Sequence, residues 1–298
     1  MKHYNKFVSP IVKLSFFKQH NVYIQLEYLN IGRSIKYRVA FQMIKDLSKT
    51  INLTHKTILE ASGGNTAIGL AVLSNYFNYR LTCVIPDNYP LEKISKLKLL
   101  GANIITSNHK KGLDSHIKKA RELSVQNNNF IYVNQFENFS NVKAHYFGTA
   151  HTMVLNFNKI DYFITGIGSG GTITGVGKRL KEKYKTYIIG VLPKGYKIGN
   201  TNFNHKIFGI GIGVKSKILD LSGIDDYIYI EEKDLKEAMK IATQEGIFVG
   251  VSSLANIAAI KKLVKTLKKR SIFNKTILTV APDEGDNYLN FLKEVWND

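Results

Sequence analysis

Cysteine is almost absent from this chain: Cys83 is the only one in 298 residues. A disulfide framework within the chain is thereby excluded, which fits a reducing cytoplasm. Cys83 lies in the apolar run Leu81-Thr82-Cys83-Val84-Ile85, a setting for a buried structural thiol rather than a nucleophile. Prolines number only five and no stretch is of low complexity, so no disordered linker is expected. No apolar run is long enough to span a bilayer. The opening Met1-Lys2-His3-Tyr4-Asn5-Lys6-Phe7 carries charge with no apolar stretch behind it, so it does not read as a secretory signal. No metal site is expected.

Acidic residues are also few. Against 42 Lys and Arg stand 23 Asp and Glu, a net charge of +19 that raises nucleic-acid binding as a reading. The positive charge is spread, however. Its densest runs, Lys178-Arg179 to Lys185 and Lys261-Lys262 to Arg270, have helical spacing. In the second run Ile257, Ile260, Val264 and Leu267 turn one face inward and leave lysines on the wet side. With no nucleic-acid motif beside them, these runs read as solvated helix faces. Anionic substrates would still benefit from the positive field.

What the chain has is apolar content, 44%, enough to bury a large core in one large or two modest domains. Short apolar runs alternate with amphipathic stretches. Strands are expected at 57–59, 81–85, 103–106, 130–133, 162–165, 186–191, 227–230 and 276–281. Helices are expected at 66–76, 91–100, 114–126, 142–156, 172–184 and 232–245. That alternation argues for a parallel α/β architecture. Residues 196–214, Gly-rich and irregular, read as a functional loop.

Four loop segments carry chemistry. In Ser34-Ile35-Lys36-Tyr37-Arg38, Ser34 is a suitable N-cap for a helix running to Leu47. Lys36 then falls in its first turn, where the helix dipole lowers a lysine pKa. Read alone, Lys36 is an ordinary surface lysine. Ser62-Gly63-Gly64-Asn65-Thr66 joins a strand to a helix and offers backbone N–H groups to an anion such as a carboxylate. Read alone, it is a common loop capped by Asn65 or Thr66. Gly166-Ile167-Gly168-Ser169-Gly170-Gly171 spells G-x-G-x-x-G between a strand and a helix. A dinucleotide would need an acid at the end of the next strand, which ends instead in Leu192-Pro193-Lys194. The same loop, with the Ser169 and Thr172 hydroxyls, suits a single phosphate. In Gly250-Val251-Ser252-Ser253 a serine is locally just a helix cap.

Together, in this order and spacing, the four segments resemble the cysteine synthase and cystathionine β-synthase family of fold-type II pyridoxal-phosphate enzymes. The resemblance runs through nearly the whole chain. It implies two three-layer α/β domains with mainly parallel sheets, a smaller mobile one at 28–143 and a larger one from 1–27 with 144–298. Lys36 would hold the cofactor and act as catalytic base. Asn65, Gly168, Ser169, Gly170, Gly171, Thr172 and Ser252 would bind pyridoxal 5'-phosphate, with Ser252 facing the pyridine nitrogen. A serine there does not hold that nitrogen protonated, which favours loss of a β substituent over transamination. Ser62, Gly63, Gly64, Thr66 and Gln135 would face the amino-acid substrate.

The implied reaction is β-replacement on an activated serine, O-acetylserine and sulfide giving cysteine through an aminoacrylate. A cytoplasmic homodimer with no membrane or nucleic-acid partner goes with it. The chain departs from the family pattern at several points: Ile31 replaces a proline, Gly63 replaces a serine whose hydroxyl meets the substrate carboxylate, and Leu254 replaces a glycine. The stretch from Phe139 to Thr152 is also unusual. These departures keep open a cystathionine synthase, a cysteine desulfhydrase and a synthase with an amine nucleophile. The vacated space at Gly63 is expected to admit a larger or differently oriented substrate. Outside the class, the NAD-dependent and nucleic-acid-binding readings stand as rivals.

Overall fold

The computed structural model describes residues 8–112, 114–201 and 203–297, so the opening stretch Met1–Phe7 lies outside the described residues. In chain order the strands are β1 (Ile11–Lys13), β2 (Asn21–Leu26), β3 (Thr57–Glu60), β4 (Arg80–Pro86), β5 (Asn103–Ser107), β6 (Phe130–Tyr132), β7 (Tyr162–Gly166), β8 (Tyr187–Pro193), β9 (Asp226–Ile230) and β10 (Thr276–Ala281). The helices are α1 (Lys36–Leu47), α2 (Asn65–Phe77), α3 (Leu91–Leu99), α4 (Ser115–Gln126), α5 (Ser140–Ala144), α6 (Ala150–Asn156), α7 (Gly171–Tyr184), α8 (Lys233–Gln244), α9 (Val251–Lys269) and α10 (Leu289–Asn297).

Two sheets form. The smaller has strand order β5-β4-β3-β6 and is parallel throughout. The larger has order β1-β2-β10-β7-β8-β9, and only β1 runs antiparallel to its neighbour. The parallel α/β expectation holds. Its cause is visible in the strands: β3 is buried along its whole length, as a strand covered on both faces must be. One face of the small sheet packs Val39, Met43, Leu70 and Leu73 from α1 and α2; the other packs Ile117 and Ala120 from α4. One face of the large sheet is covered by α8, α9 and α10, and the other by α6 and α7.

Four helix starts differ from the sequence reading. The first helix begins at Lys36, and its cap residue is Ile35 rather than Ser34, although Ser34 Oγ still accepts from the Lys36 N–H at 3.3 Å. The caps of α2 and α9 are Gly64 and Gly250, so Asn65, Thr66, Ser252 and Ser253 are not spent on capping. The helix expected over 142–156 starts at Ser140 and is interrupted by a π-helical turn at His145–Thr149. There α7 comes so close that a Cβ on Gly175 would sit 2.4 Å from Val142 O and 2.8 Å from His145 Cβ. A wide turn is a usual accommodation of such crowding.

Three of the four segments follow the carboxyl ends of parallel strands, β2, β3 and β7, the place where open α/β sheets bind ligands, and the fourth, at Gly250, joins α8 to α9. Among the described residues no helix is long and apolar enough to cross a membrane.

Candidate active site

A cavity of about 410 Å³ opens where these loops converge. Lys36, Ser62, Gly63, Gly64, Asn65, Thr66, Gln135, Gly168, Ser169, Gly170, Thr172 and Ser252 all line it, so four segments distant in sequence meet around one space. Gly171 stands just behind, in van der Waals crowding with Asn141.

Lys36 enters from the first turn of α1, whose start is pinned when the Ile35 N–H donates to Pro282 O at 2.7 Å. Its side chain stays partly open to the cavity, and Nζ donates to Ser169 Oγ at 3.3 Å. Burial pushes the ammonium down to about 8, against the opposing pull of Glu60 and Asp283. The direction is the one expected from the sequence. The leading cause is lost water rather than the helix dipole.

Around Ser169 the loop after β7 turns into α7. Gly170 has φ +89°, in the left-handed region that glycine adopts without strain. A Cβ on Gly168 would meet Gly209 O at 2.6 Å, so two backbones approach each other there. Asn141 Nδ2 donates to Ser169 Oγ at 3.1 Å, and Ser216 Oγ donates to Ser169 O at 2.6 Å, fixing the loop from both sides. Thr172 Oγ1 shares a 3.3 Å hydrogen bond with His145 Nε2. Burial, reinforced by the charges of Lys36 and Arg38, holds the His145 imidazole well below its usual range, so it stays neutral. Glycine backbone, two hydroxyls and a helix N-terminus together form a phosphate cradle.

On the opposite wall, Thr66 Oγ1 donates to Gln135 Oε1 at 2.8 Å, and Gln135 Nε2 donates to Glu60 at 3.2 Å. Glu60 is fully buried, which pushes its carboxyl up to about 7. Asn65 Nδ2 donates to Asp283 Oδ2 at 2.7 Å, and Tyr288 Oη donates to the same oxygen at 2.7 Å. Burial raises the Asp283 carboxyl, partly offset by those two bonds, and its Oδ1 has no partner among the described residues. Ser252 lies in the first turn of α9, beside Gly209, whose Cβ would be 3.7 Å from Ser252 Oγ.

The donor set fits pyridoxal phosphate. A half-buried lysine of lowered pKa sits in reach of Ser169, and the hydroxyl of the buried Ser252 lines the cavity uncommitted to capping. Sequence reasoning missed Tyr89, Lys93, His116, Asn141 and Glu60, which line or brace the cavity. Glu60 opens the strand-to-helix stretch that leads into Ser62–Thr66 and Asn141 lies in the unusual Phe139 to Thr152 stretch, whereas Tyr89, Lys93 and His116 belong to no recognised segment. Asp283, just past β10, lines the same cavity. The space beside Gly63 corrects the sequence reading: it is occupied by the Tyr89 ring, not vacant.

Residues 4–283 match the model of a family described as pyridoxal-phosphate dependent enzymes. The chain is 37% identical to cysteine synthase B of Campylobacter jejuni over 95% of its own length and 94% of that protein's. It is 35% identical to a cysteine synthase of a Flavobacterium species, covering 93% of this chain and 92% of that one. Among solved structures, a hydrogen sulfide-producing enzyme from Fusobacterium nucleatum superposes with a TM-score of 0.84 at 33% identity, over 94% of this chain and 96% of that one. O-ureido-L-serine synthase superposes with a TM-score of 0.86 at 27% identity, over 94% and 90%.

Proposed function

The chain belongs to the pyridoxal-phosphate-dependent enzyme family, as a cysteine synthase-like enzyme of fold type II, and from that premise we propose β-replacement on an activated serine. In this reading O-acetylserine and sulfide give cysteine. The observation that carries it is Lys36 Nζ, of lowered pKa, 3.3 Å from the serine of a glycine cradle inside one cavity. Bound there, pyridoxal phosphate supplies an electron sink that eases loss of the α-proton and of a β substituent.

The chain's own groups do the rest. Gly168, Ser169, Gly170, Gly171 and Thr172 hold the phosphate through backbone N–H groups and hydroxyls. Lys36, with a pKa brought down to about 8 by burial, would hold the cofactor, and as a free amine is neutral often enough near pH 8 to take a proton from the substrate Cα. It later returns that proton to the same carbon. Ser252 would face the pyridine nitrogen, and Asn65, which donates to Asp283, would hold the cofactor ring. Ser62, Gly63, Gly64, Thr66 and Gln135 face the amino acid. Residues 28–143 form the smaller, moving part that closes on residues 1–27 with 144–298. The enzyme works as a cytoplasmic homodimer, with no nucleic-acid role.

Purified protein is expected to be yellow, with an absorbance band that shifts when O-acetylserine is added and recovers when sulfide follows. Assays for cysteine, cystathionine and sulfide on the same protein separate synthesis from the rival β-replacement and desulfhydrase reactions. Colourless protein that gains no band with added pyridoxal phosphate would overturn the reading.

A further inference from the structure

The loop read as the substrate-carboxylate site lacks a side-chain hydroxyl at Gly63, and another residue fills that position. A Cβ on Gly63 would lie 2.5 Å from Tyr89 Cε1, 2.6 Å from Tyr89 Cζ and 3.0 Å from Ile85 Cγ2. A serine at 63 would therefore begin where the far end of the Tyr89 ring now stands. The next residue tells the same story, since a Cβ on Gly64 would be 3.8 Å from the Tyr89 oxygen. Neither glycine has a positive φ, so backbone conformation does not demand glycine here. At Gly63 a side chain fits only if the end of the Tyr89 ring moves aside.

The topology explains how Tyr89 arrives. β3 and β4 pair in parallel, with Glu60 opposite Cys83, so the loops that follow them leave the same sheet edge side by side. After β4 the chain closes a turn in which the Tyr89 N–H donates to Pro86 O at 3.1 Å, and Pro90 then caps α3. The Tyr89 ring lines the cavity. Its hydroxyl makes no hydrogen bond to the protein among the described residues. Burial pushes the phenol up to about 12, so it remains a donor at any ordinary working pH. Lys93 Nζ lies 5.9 Å from the Tyr89 ring centre and 5.8 Å from that of Tyr288, adding positive charge to the same wall. A protonated phenol beside a lysine and a glycine loop rich in N–H groups is a site for a carboxylate.

We propose that Tyr89 binds the substrate α-carboxylate, its Oη donating the hydrogen bond that no side chain at position 63 supplies. This rests on the reading of residues 62–66 as the carboxylate loop of a pyridoxal-phosphate enzyme. Gly63 and Tyr89 then form a matched pair, and recognition of the amino acid spans two loops rather than one.

The test is equilibrium binding of O-acetylserine, read from the shift of the cofactor absorbance in the holoenzyme, with O-acetylserine amide as the ligand lacking a carboxylate. Tyr89→Phe removes one oxygen and keeps the ring. It should weaken O-acetylserine by about ten- to a hundredfold, the range of one charge-assisted hydrogen bond, and leave the amide nearly unaffected. Gly63→Ser alone should also weaken O-acetylserine, because the new side chain meets the ring. Gly63→Ser combined with Tyr89→Ala should bind it several-fold more tightly than Tyr89→Ala alone. Wild-type affinity in Tyr89→Phe, or equal losses for acid and amide, would overturn the proposal. Wild-type protein with no cofactor band, or no shift with any amino acid, would instead overturn the underlying reading and the proposal with it.

Discussion

A lysine ammonium that loses its water gives up its proton more easily, and Lys36 is brought by burial from 10.5 to about 8. At pH 7 about a tenth of such a group is neutral, against a few in ten thousand for an ordinary lysine. Only the neutral amine can bond to an aldehyde. Capture of pyridoxal phosphate by the apoprotein should therefore quicken about tenfold per pH unit up to about 8 and then level off. A rate that keeps rising to 10.5, followed by stopped-flow absorbance, would show Lys36 to be unperturbed. Glu60 opposes the downward shift, so Glu60→Gln should move the plateau to lower pH. Lys36→Ala should abolish both the bound-cofactor band and turnover while the far-ultraviolet circular dichroism stays unchanged. The meeting of Lys36 with the glycine loop was legible in the sequence because both sit in segments whose order resembles the family's. Tyr89 was not, since nothing in a linear reading sets it beside Gly63, 26 positions away.

The start of α1 depends on a polar cluster that no sequence pattern announced. Glu27 is fully buried and accepts from Arg38 Nε at 2.7 Å, Ser9 Oγ at 2.8 Å, Gln25 Nε2 at 2.5 Å and Asn30 Nδ2 at 2.7 Å. Burial would push its carboxyl up, but the charge of Arg38 and these bonds hold it below the usual range. The cluster joins β2 to α1 two residues past Lys36, so it steadies the lysine's backbone as well as the fold. Glu27→Ala leaves the Arg38 guanidinium buried without its counter-charge and should cost about 3–5 kcal/mol in a urea melt. Because the folded carboxyl titrates below its unfolded value, the wild-type contribution persists above about pH 4.5 and fades as pH falls further. A loss below about 1 kcal/mol would mean the cluster relaxes around the gap. β1 and β2 were not among the expected strands: β1 is only three residues long, and Gln25 breaks the apolar run of β2. The helix boundaries at 34–36 and 140–156 were misread for a related reason. They are decided by tertiary contacts, a hydrogen bond to Pro282 O and crowding at Gly175, which periodicity does not contain.

For the molecule as a whole, the excess positive charge proves to be dispersed over helix faces, as its helical spacing suggested. On α9 the residues Ile257, Ile260 and Leu267 are buried, while Lys261 and Lys262 pair with Glu237 and Asp234 of α8. On α7, Lys181 pairs with Asp225. The parallel architecture was legible because eight apolar runs alternate with helices, and each became a strand. What alternation does not reveal is how the two sheets communicate. Two of the links between them line the cavity, Asn65 to Asp283 and Lys93 between the rings of Tyr89 and Tyr288, and another joins Arg33 to Glu284. A substrate carboxylate gripped by the loops after β3 and β4 would therefore draw the small sheet toward a cofactor held by the loops of the large one. Hydrogen exchange on the holoenzyme can see this directly. With saturating O-acetylserine, amides at 61–66 and 86–93 should slow markedly, while those of β7 and β10, already deep in the large sheet, should not change. A uniform slowing across both sheets would be simple stabilisation by a bound ligand, and closure of the small part would have no support.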